Sequence, residues 1–538
     1  MRKTSLFISL ILLAQISFGQ TWKDTVAIIE SIFSRYQPYN PGSQLSIARN
    51  GQVIFSKAWG LANLEHNIPL TTNSIIEAGS VSKQFTAAAI LLLEQQGKLS
   101  MEDDVRKYVP ELPDYGTPVK LHHMMHHTSG LKDWGSIVAI AGWPRGTKYY
   151  NNDDALEIIS RQRNLNNKPG DEFIYSNSNY NLFAIIVRRV SGMSLAAYSQ
   201  KYIFEPAGMT NTQWRDDPHR IVRGRATAYS KTKTGFQMEM PNEYVYGNGG
   251  LLTTTEDLLK WNDFYIGGKL GTSSLLSNQT KIDKFNNGLM NDYGAGLFIQ
   301  NLMGSKYINH GGATGSYRAN LATFPDLNFS IAFLSNSSQF DTSAADPTRS
   351  IINLFITDKS EKPAKNEVKF KPEETKLASY AGWYRNNRDG SGLKLSFKDN
   401  ELIAGNSSKL IPASETSFKL NNNVIDMAEA KSFRYIIPSR DTILYTKVDS
   451  TLLPTNNWNV YEGKYLSEET NSWIRIYQEK GKLFMQLKAG KSYELTPTYR
   501  DAFIGFGNVQ FIRSNRNKKA MMIISIPRAR NVEFKRLE

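Results

Sequence analysis

The sequence predicts an α/β domain built on an antiparallel sheet with helices, followed by all-β antiparallel barrels. Three observations predict it. Strand pairs stand near both ends of the first 358 residues with helices between them, an order that suits one sheet drawing on both ends of that stretch. Beyond a charged linker the helical signal nearly disappears, and short alternating runs separated by Gly, Asn and Asp turns replace it. That second part also carries a weak internal repeat. At 538 residues the chain has room for about three domains.

Taken in order, residues 1–19 read as a cleavable signal peptide. Arg2 and Lys3 are the basic start, Leu6 to Ile16 is mostly apolar, and Ser17-Phe18-Gly19 sets small residues at the two positions a peptidase checks. The apolar run is too short for a permanent span. The expectation is an exported protein, periplasmic or secreted, starting at Gln20 with no transmembrane segment left. Residues 20–358 then form the α/β domain. Leu45 to Lys57 reads as a hairpin turning on Asn50-Gly51, a pair that readily takes the positive φ of a tight turn. Helices are expected at Ser80–Gln96, Asn179–Val190 and Thr255–Tyr265, each stopped by a nearby glycine. A late strand pair, Ala319–Phe324 and Ser330–Ser335, turns on Pro325 to Asn328. Residues 359–374 are charged, contain two prolines and lack an apolar face, and so read as a linker. Tyr380-Ala-Gly-Trp-Tyr384 and Tyr461-Glu-Gly-Lys-Tyr465 each precede matching strand patterns. Two small barrels, 375–452 and 453–538, follow from that repeat, with a single larger barrel as the alternative.

Composition excludes several functions. The chain has no cysteine, which rules out a disulfide scaffold, a thiol nucleophile, a thiolate metal site and a lipid-modified cysteine. Its formal charge is +14, unevenly placed: residues 20–358 hold 31 basic and 30 acidic residues, whereas 359–538 hold 31 and 20. The excess includes Arg513, Arg516, Lys518, Lys519, Arg528 and Arg530. Such a basic face suits either an anionic cell-envelope polymer as partner or simply a solvated, soluble surface. No nucleic-acid motif accompanies it, so no nucleic-acid partner is expected.

The chemistry gathers at Gly79-Ser80-Val81-Ser82-Lys83, opening an apolar helix. Ser80 and Lys83 are three apart and share a face of its first turn. A serine hydroxyl is a weak nucleophile until a neighbour takes its proton, and a lysine with a lowered pKa can do so. Two further segments fit the same task. Tyr175-Ser176-Asn177 precedes a helix; a tyrosine near a cation loses its proton more easily and becomes a base, while Asn177 offers an amide to a substrate carbonyl. His310-Gly311-Gly312-Ala313-Thr314-Gly315 lies just before the late strand pair, and its glycines let a strand backbone come close to substrate.

These three segments, in this order, resemble the serine β-lactamase and penicillin-binding superfamily, in its class C, D-alanyl-D-alanine carboxypeptidase, D-aminopeptidase and esterase branch. The likeness runs through residues 25–356. Leu121 to Leu131 (LHHMMHHTSGL) and the segment from Asn248 through Gly-Gly-Leu-Leu-Thr-Thr-Thr-Glu-Asp-Leu also match the family's pattern. The resemblance implies an antiparallel sheet flanked by helices plus a helical subdomain, with Ser80 between them. It implies that Ser80 forms an acyl-enzyme, that Lys83 and Tyr175 share the proton handling, and that Tyr175 activates the hydrolytic water. Asn177, His310 and Gly312 would bind substrate, and the N–H groups of Ser80 and Ala313 would form the oxyanion hole. No cofactor is implied. The tail barrels resemble lipocalin-like domains of exported D-aminopeptidases, where a barrel loop can reach the active site.

One departure stands out. Where the β-lactamases carry Lys-Thr-Gly this chain has His310-Gly-Gly, a weaker carboxylate anchor because histidine is mostly neutral near pH 7. Lys233-Thr234-Gly235 spells the triplet but lies in what reads as an exposed turn. His122, His123, His126 and His127 contain i, i+4 pairs that suit zinc, yet no Glu or Cys stands beside them, and the expectation is no metal. Barrel aromatics such as Trp383, Tyr384, Trp473 and Tyr477 read as core. The leading function is hydrolysis of an amide or ester in a small molecule or short peptide, a D-amino-acid peptide or a β-lactam. The alternatives are a carboxylesterase of the same fold, a penicillin-binding sensor or scaffold acylated without turnover, and a small-molecule carrier built on the barrels.

Overall fold

The computed structural model describes residues 21–36, 38–340, 347–358, 370, 372–429, 431–438, 441–448, 458–512 and 521–537. The expected signal peptide and most of the expected linker lie outside the described residues. The linker's last residue, Glu374, instead opens a short helix, Glu374–Ser379.

Asn50 and Gly51 both take positive φ, 53° and 73°, and so turn strand β1 (Ser43–Arg49) directly into β2 (Gln52–Trp59). Far along the chain come β3 (Phe298–Leu302), β4 (Ser305–Thr314), β5 (Tyr317–Phe324) and β6 (Phe329–Ser335). The six form one antiparallel sheet in the order β3-β4-β5-β6-β1-β2. The two ends of the α/β domain thus meet where β1 pairs β6, Leu45 opposite Phe333 and Ile47 opposite Ile331. His310-Gly-Gly lies inside β4 rather than ahead of the strands.

One sheet face carries α1 (Trp22–Phe33) and α5 (Pro347–Phe355), joined through Ile29, Phe33, Leu45, Ile47, Phe333 and Ile351. The other face meets the helical part of the domain, α2 (Lys83–Gln95), α3 (Asn177–Ser191) and α4 (Thr255–Ile266). Every residue of α2 from Lys83 to Leu93 is buried, as expected for a helix apolar all round. That burial takes the first turn of α2, and Lys83 with it, out of water.

The tail folds as two nearly closed antiparallel sheets of nine strands each, with the same strand order. In each, the two edge strands are consecutive in the chain and separated by one leucine: Ser408–Lys409 and Ile411–Pro412 flank Leu410, and Ser492–Glu494 and Thr496–Pro497 flank Leu495. The sheet must curl round to bring those edges together, which leaves little exposed edge. The repeated tyrosines explain themselves here. The Tyr384 hydroxyl donates to the Tyr380 carbonyl at 2.9 Å and the Tyr465 hydroxyl to the Tyr461 carbonyl at 2.8 Å. The intervening Gly382 and Gly463 take φ of 143° and 146°. Each motif therefore builds the same corner leading into a barrel's first strand.

The barrels attach differently. The first keeps its own apolar cluster around Tyr384, Phe418 and Phe433. The second shares one continuous cluster with the helical part of the α/β domain. Polar contacts reinforce that junction: Lys132 and Glu469 form a buried ion pair at 3.0 Å, and Ser472 donates to the Ala141 carbonyl at 2.8 Å.

Candidate active site

Ser80 sits in a 3-10 turn, Gly79–Ser82, that runs straight into α2. The turn is held from two sides. Ala78 N–H donates to the Leu251 carbonyl at 2.8 Å, and the Leu251 N–H donates back to the Ser82 hydroxyl at 3.1 Å. On the other side β4 packs so closely that a Cβ on Gly312 would lie 2.0 Å from the Ala78 carbonyl oxygen and 3.1 Å from Ser80 N. Gly79 has φ of 50°, and a Cβ there would meet Ala313 N at 2.6 Å. The glycines therefore serve the contact between strand and turn, where the sequence suggested contact with substrate. The same contact brings the Ser80 and Ala313 backbones together along one small cavity shared with Asn248, Gly249 and Thr314.

Lys83 is fully buried, and its Nζ has three neighbours: Ser80 Oγ at 3.1 Å, Asn177 Oδ1 at 2.9 Å and the Asn248 carbonyl at 2.6 Å. Burial holds its pKa well below the usual lysine range. The cations of Arg145 and Arg528 lower it further, and Asp133 opposes them. A neutral amine has two N–H bonds and one lone pair. The carbonyl oxygens of Asn177 and Asn248 can only accept, so they take the two N–H bonds and leave the lone pair toward Ser80, whose hydroxyl can donate.

Tyr175 lies beside this pair, with Lys83 Nζ 4.8 Å from its ring centroid. Its phenol is shifted upward, the reverse of the sequence expectation: burial disfavours the phenolate by more than the Ser80 hydroxyl and the Arg528 cation favour it. Burial thus favours the protonated phenol of Tyr175, a donor beside Ser80, and the neutral amine of Lys83, a base.

The N-terminus of α3 is fixed by the segment 127–134. Asp133 Oδ2 accepts the Asn177 N–H at 2.7 Å, and Ser178 Oγ accepts the Trp134 N–H at 2.8 Å. His127 lies under Tyr175 with ring centroids 4.3 Å apart. Its Nδ1 lies 3.2 Å from Ser176 N and 3.1 Å from Asn179 Nδ2. Two donors there leave Nδ1 without a proton and place the proton on Nε2. Its φ of 56° puts it in the left-handed region, uncommon outside glycine.

His310 is engaged by protein groups on both ring nitrogens. It is buried, its Nε2 lies 3.0 Å from the Tyr293 hydroxyl, and its Nδ1 lies 2.6 Å from the Gly311 carbonyl. Nδ1 must donate to that carbonyl, so Nε2 accepts from Tyr293, and both nitrogens are occupied. Burial pushes its pKa down to about 3. In this arrangement His310 braces β4 against Tyr293. Lys233 lies exposed at a hairpin tip between Tyr229–Lys231 and Phe236–Met238. Of the histidine cluster, His122 and His126 reach Asp283, at 3.7 and 3.2 Å. Among the described residues no group of three or more side chains is placed to hold a metal.

Sequence reasoning missed Asn248, Asp133, Tyr293 and Arg528. Asn248 stood in a segment already matched to the family, and Asp133 two residues beyond another. Arg528 gave no signal beyond a basic tail. In the fold it tips the hairpin between strands Met521–Ile526 and Ala529–Arg536 of the second barrel. Its carbonyl accepts the Asp133 N–H at 3.0 Å and Asn166 Nδ2 at 3.1 Å. Its guanidinium carbon stands 4.7 Å from the Tyr175 ring centroid, a cation–π contact at the mouth of the site.

The beta-lactamase family profile matches residues 31–354, which span Ser80, Lys83, Tyr175, Asn177, Asn248 and His310 and stop short of Arg528. The chain belongs to the beta-lactamase family. It is a serine hydrolase by that membership. A penicillin-binding protein of Bacillus subtilis is 30% identical over 396 residues, covering 69% of this chain and 86% of the relative. A D-aminopeptidase of Brucella anthropi is 23% identical over 524 residues, covering 93% of this chain and 96% of the relative. Among solved structures, the octameric penicillin-binding protein homologue from Pyrococcus abyssi matches 79% of this chain and 99% of its own with a TM-score of 0.54 and 24% identity, a likeness of fold.

Proposed function

We propose that this family member hydrolyses an amide or ester through a Ser80 acyl-enzyme, with D-amino-acid peptides or β-lactams as substrates. The observation that carries the reading is the environment of Lys83: buried, flanked by cations, and within hydrogen-bond distance of Ser80 Oγ, Asn177 Oδ1 and the Asn248 carbonyl, so that as a neutral amine it can turn its lone pair to Ser80. In acylation Lys83 takes the Ser80 proton as Oγ bonds to the carbonyl carbon. The oxyanion develops against the N–H groups of Ser80 and Ala313, donors of a kind worth a few kcal/mol to a transition state. The Tyr175 phenol gives its proton to the leaving nitrogen or oxygen as that bond breaks, and Lys83 returns its proton to Tyr175. A water molecule then repeats the sequence, with the Ser80 oxygen as leaving group. Among the described residues Asn177 Oδ1 is held by Lys83, and its amide NH2 remains for a substrate carbonyl.

The similarity to a D-aminopeptidase over nearly the full length supports D-amino-acid substrates, and the similarity to penicillin-binding proteins supports acylation by β-lactams. Export to the periplasm or beyond is part of the same proposal, as such substrates are found there. The test is intact-mass spectrometry over time on the 20–538 protein and its Ser80→Ala variant. The probes are a chromogenic cephalosporin, an activated short-chain ester and a D-alanyl-D-alanine peptide. Turnover, or an adduct of acyl mass, in the wild type alone supports the proposal. An adduct that never clears favours the sensor, and neither adduct nor turnover with any probe overturns the hydrolytic reading.

A further inference from the structure

Resting on the hydrolase reading above, we propose that Arg528, on the second barrel, is the carboxylate-binding and specificity-determining residue of this site, so that the enzyme prefers substrates bearing a free carboxylate beyond the scissile bond.

The argument starts with where positive charge is missing. The third motif contributes no cation, because His310 is buried with both nitrogens bound to Tyr293 and Gly311. Lys83 is enclosed by Ser80, Asn177 and Asn248. Arg145 is committed to Glu243, and Arg215 to Glu77. Arg528 differs from all of these. Its side chain is exposed, and among the described residues no carboxylate lies within ion-pair distance of it. Yet it is not a loose surface arginine, because it lies over the ring of Tyr175.

Its backbone is fixed to the catalytic machinery. The Arg528 carbonyl accepts from Asp133, whose carboxylate holds the Asn177 N–H, and Asn177 in turn holds Lys83. Two residues on, Arg530 N–H donates to Asn166 Oδ1 at 2.7 Å, and its guanidinium shares Glu172 with Arg388 of the first barrel, each at 2.9 Å. Both barrels therefore brace the hairpin that presents Arg528. The acidic groups around it are occupied: Asp133 by the N–H groups of Asn177 and Ser136, Glu172 by two arginines, Glu243 by Arg145. Among the described residues, an anion arriving there meets the uncommitted Arg528 guanidinium, while Asp133, Glu172 and Glu243 are already held by protein donors. A guanidinium is a planar fork that binds a carboxylate through two parallel N–H bonds.

The experiment compares kcat/KM for N-acetyl-D-alanyl-D-alanine and its C-terminal amide, in the full chain and in Arg528→Gln, Arg528→Lys and Arg528→Glu. Wild type is expected to favour the free acid by about tenfold or more, the size of a charge-assisted hydrogen bond. That ratio should fall toward one in Arg528→Gln, survive in part in Arg528→Lys and invert in Arg528→Glu. It should also shrink with added salt, because the arginine is exposed. Ratios read within one variant are insensitive to a uniform loss of folded protein. A wild-type ratio near one, or an unchanged ratio in Arg528→Gln, overturns the assignment while leaving the hydrolase intact. Ser80-dependent turnover of the activated ester with neither peptide accepted overturns it too. Absence of any Ser80-dependent turnover, the ester included, overturns the hydrolase reading and this assignment with it.

Discussion

At the scale of single residues, the division of labour between Lys83 and Tyr175 is decided by desolvation. Removing either side chain from water disfavours its charged form, which lowers the pKa of a lysine and raises that of a tyrosine. Desolvation thus favours the neutral form of both, one able to act as base and the other as acid. The sign of the pH dependence follows. The proposed mechanism requires neutral Lys83, so kcat/KM should rise as pH passes upward through its lowered pKa. That rising limb should persist in Tyr175→Phe and vanish in Lys83→Met, with the latter losing about 10²–10⁴-fold in kcat/KM; pH–rate profiles of the two variants check this. His127 acts as a positioning residue for Tyr175. Asparagine tolerates positive φ and removes the ring, so His127→Asn should fold. It should lower kcat by up to about 10²-fold through misplacement of the phenol while KM changes little.

Elements meet at the site through close backbone contact. Strand β4 approaches the Ser80 turn at a distance only glycine permits, and any Cβ at position 312 collides with a carbonyl that cannot swing away. Gly312→Ala should therefore destabilise the fold by about 1–3 kcal/mol, the range of overpacking. It should also lower kcat by parting the Ser80 and Ala313 amides. Chemical denaturation and steady-state kinetics read the two effects separately. The helices and strands of the α/β domain were largely legible in the sequence because caps, turns and apolar periodicity are local. Asn50-Gly51 specified its own hairpin, and Gly192, at φ 73°, stopped α3. His310 was legible as a family position, but its partners were not. Its neighbour Tyr293 arrives through tertiary packing, and no spacing rule reports that both ring nitrogens are taken.

For the molecule as a whole, the second barrel is part of the hydrolase's core. Its apolar side chains continue the catalytic domain's cluster, and the buried Lys132–Glu469 pair crosses the junction. Burial lowers the Lys132 pKa, and Glu469 raises it again. Removing one partner leaves an uncompensated buried charge, so Glu469→Ala should cost about 3–5 kcal/mol. The double variant Lys132→Met, Glu469→Leu should recover much of that loss, as thermal and chemical unfolding would measure. Part of the tail's basic excess also acquires a definite place: Arg388 and Arg530 clamp Glu172, and Arg528 stands over Tyr175. The remaining excess stays compatible with a solvated face or an anionic polymer.

The sequence by itself determined the order of the motifs, the turn that presents Ser80, the strand pairs and the duplicated barrel, because each rests on interactions reaching a few residues along the chain. Only the tertiary structure decided the directions of the Lys83 and Tyr175 pKa shifts, the internal contacts of His310, and the arrival of a barrel arginine over Tyr175. Those depend on burial and on charges supplied from hundreds of residues away. Water exclusion and Coulomb fields follow distance in space, which the linear spacing of a chain does not record.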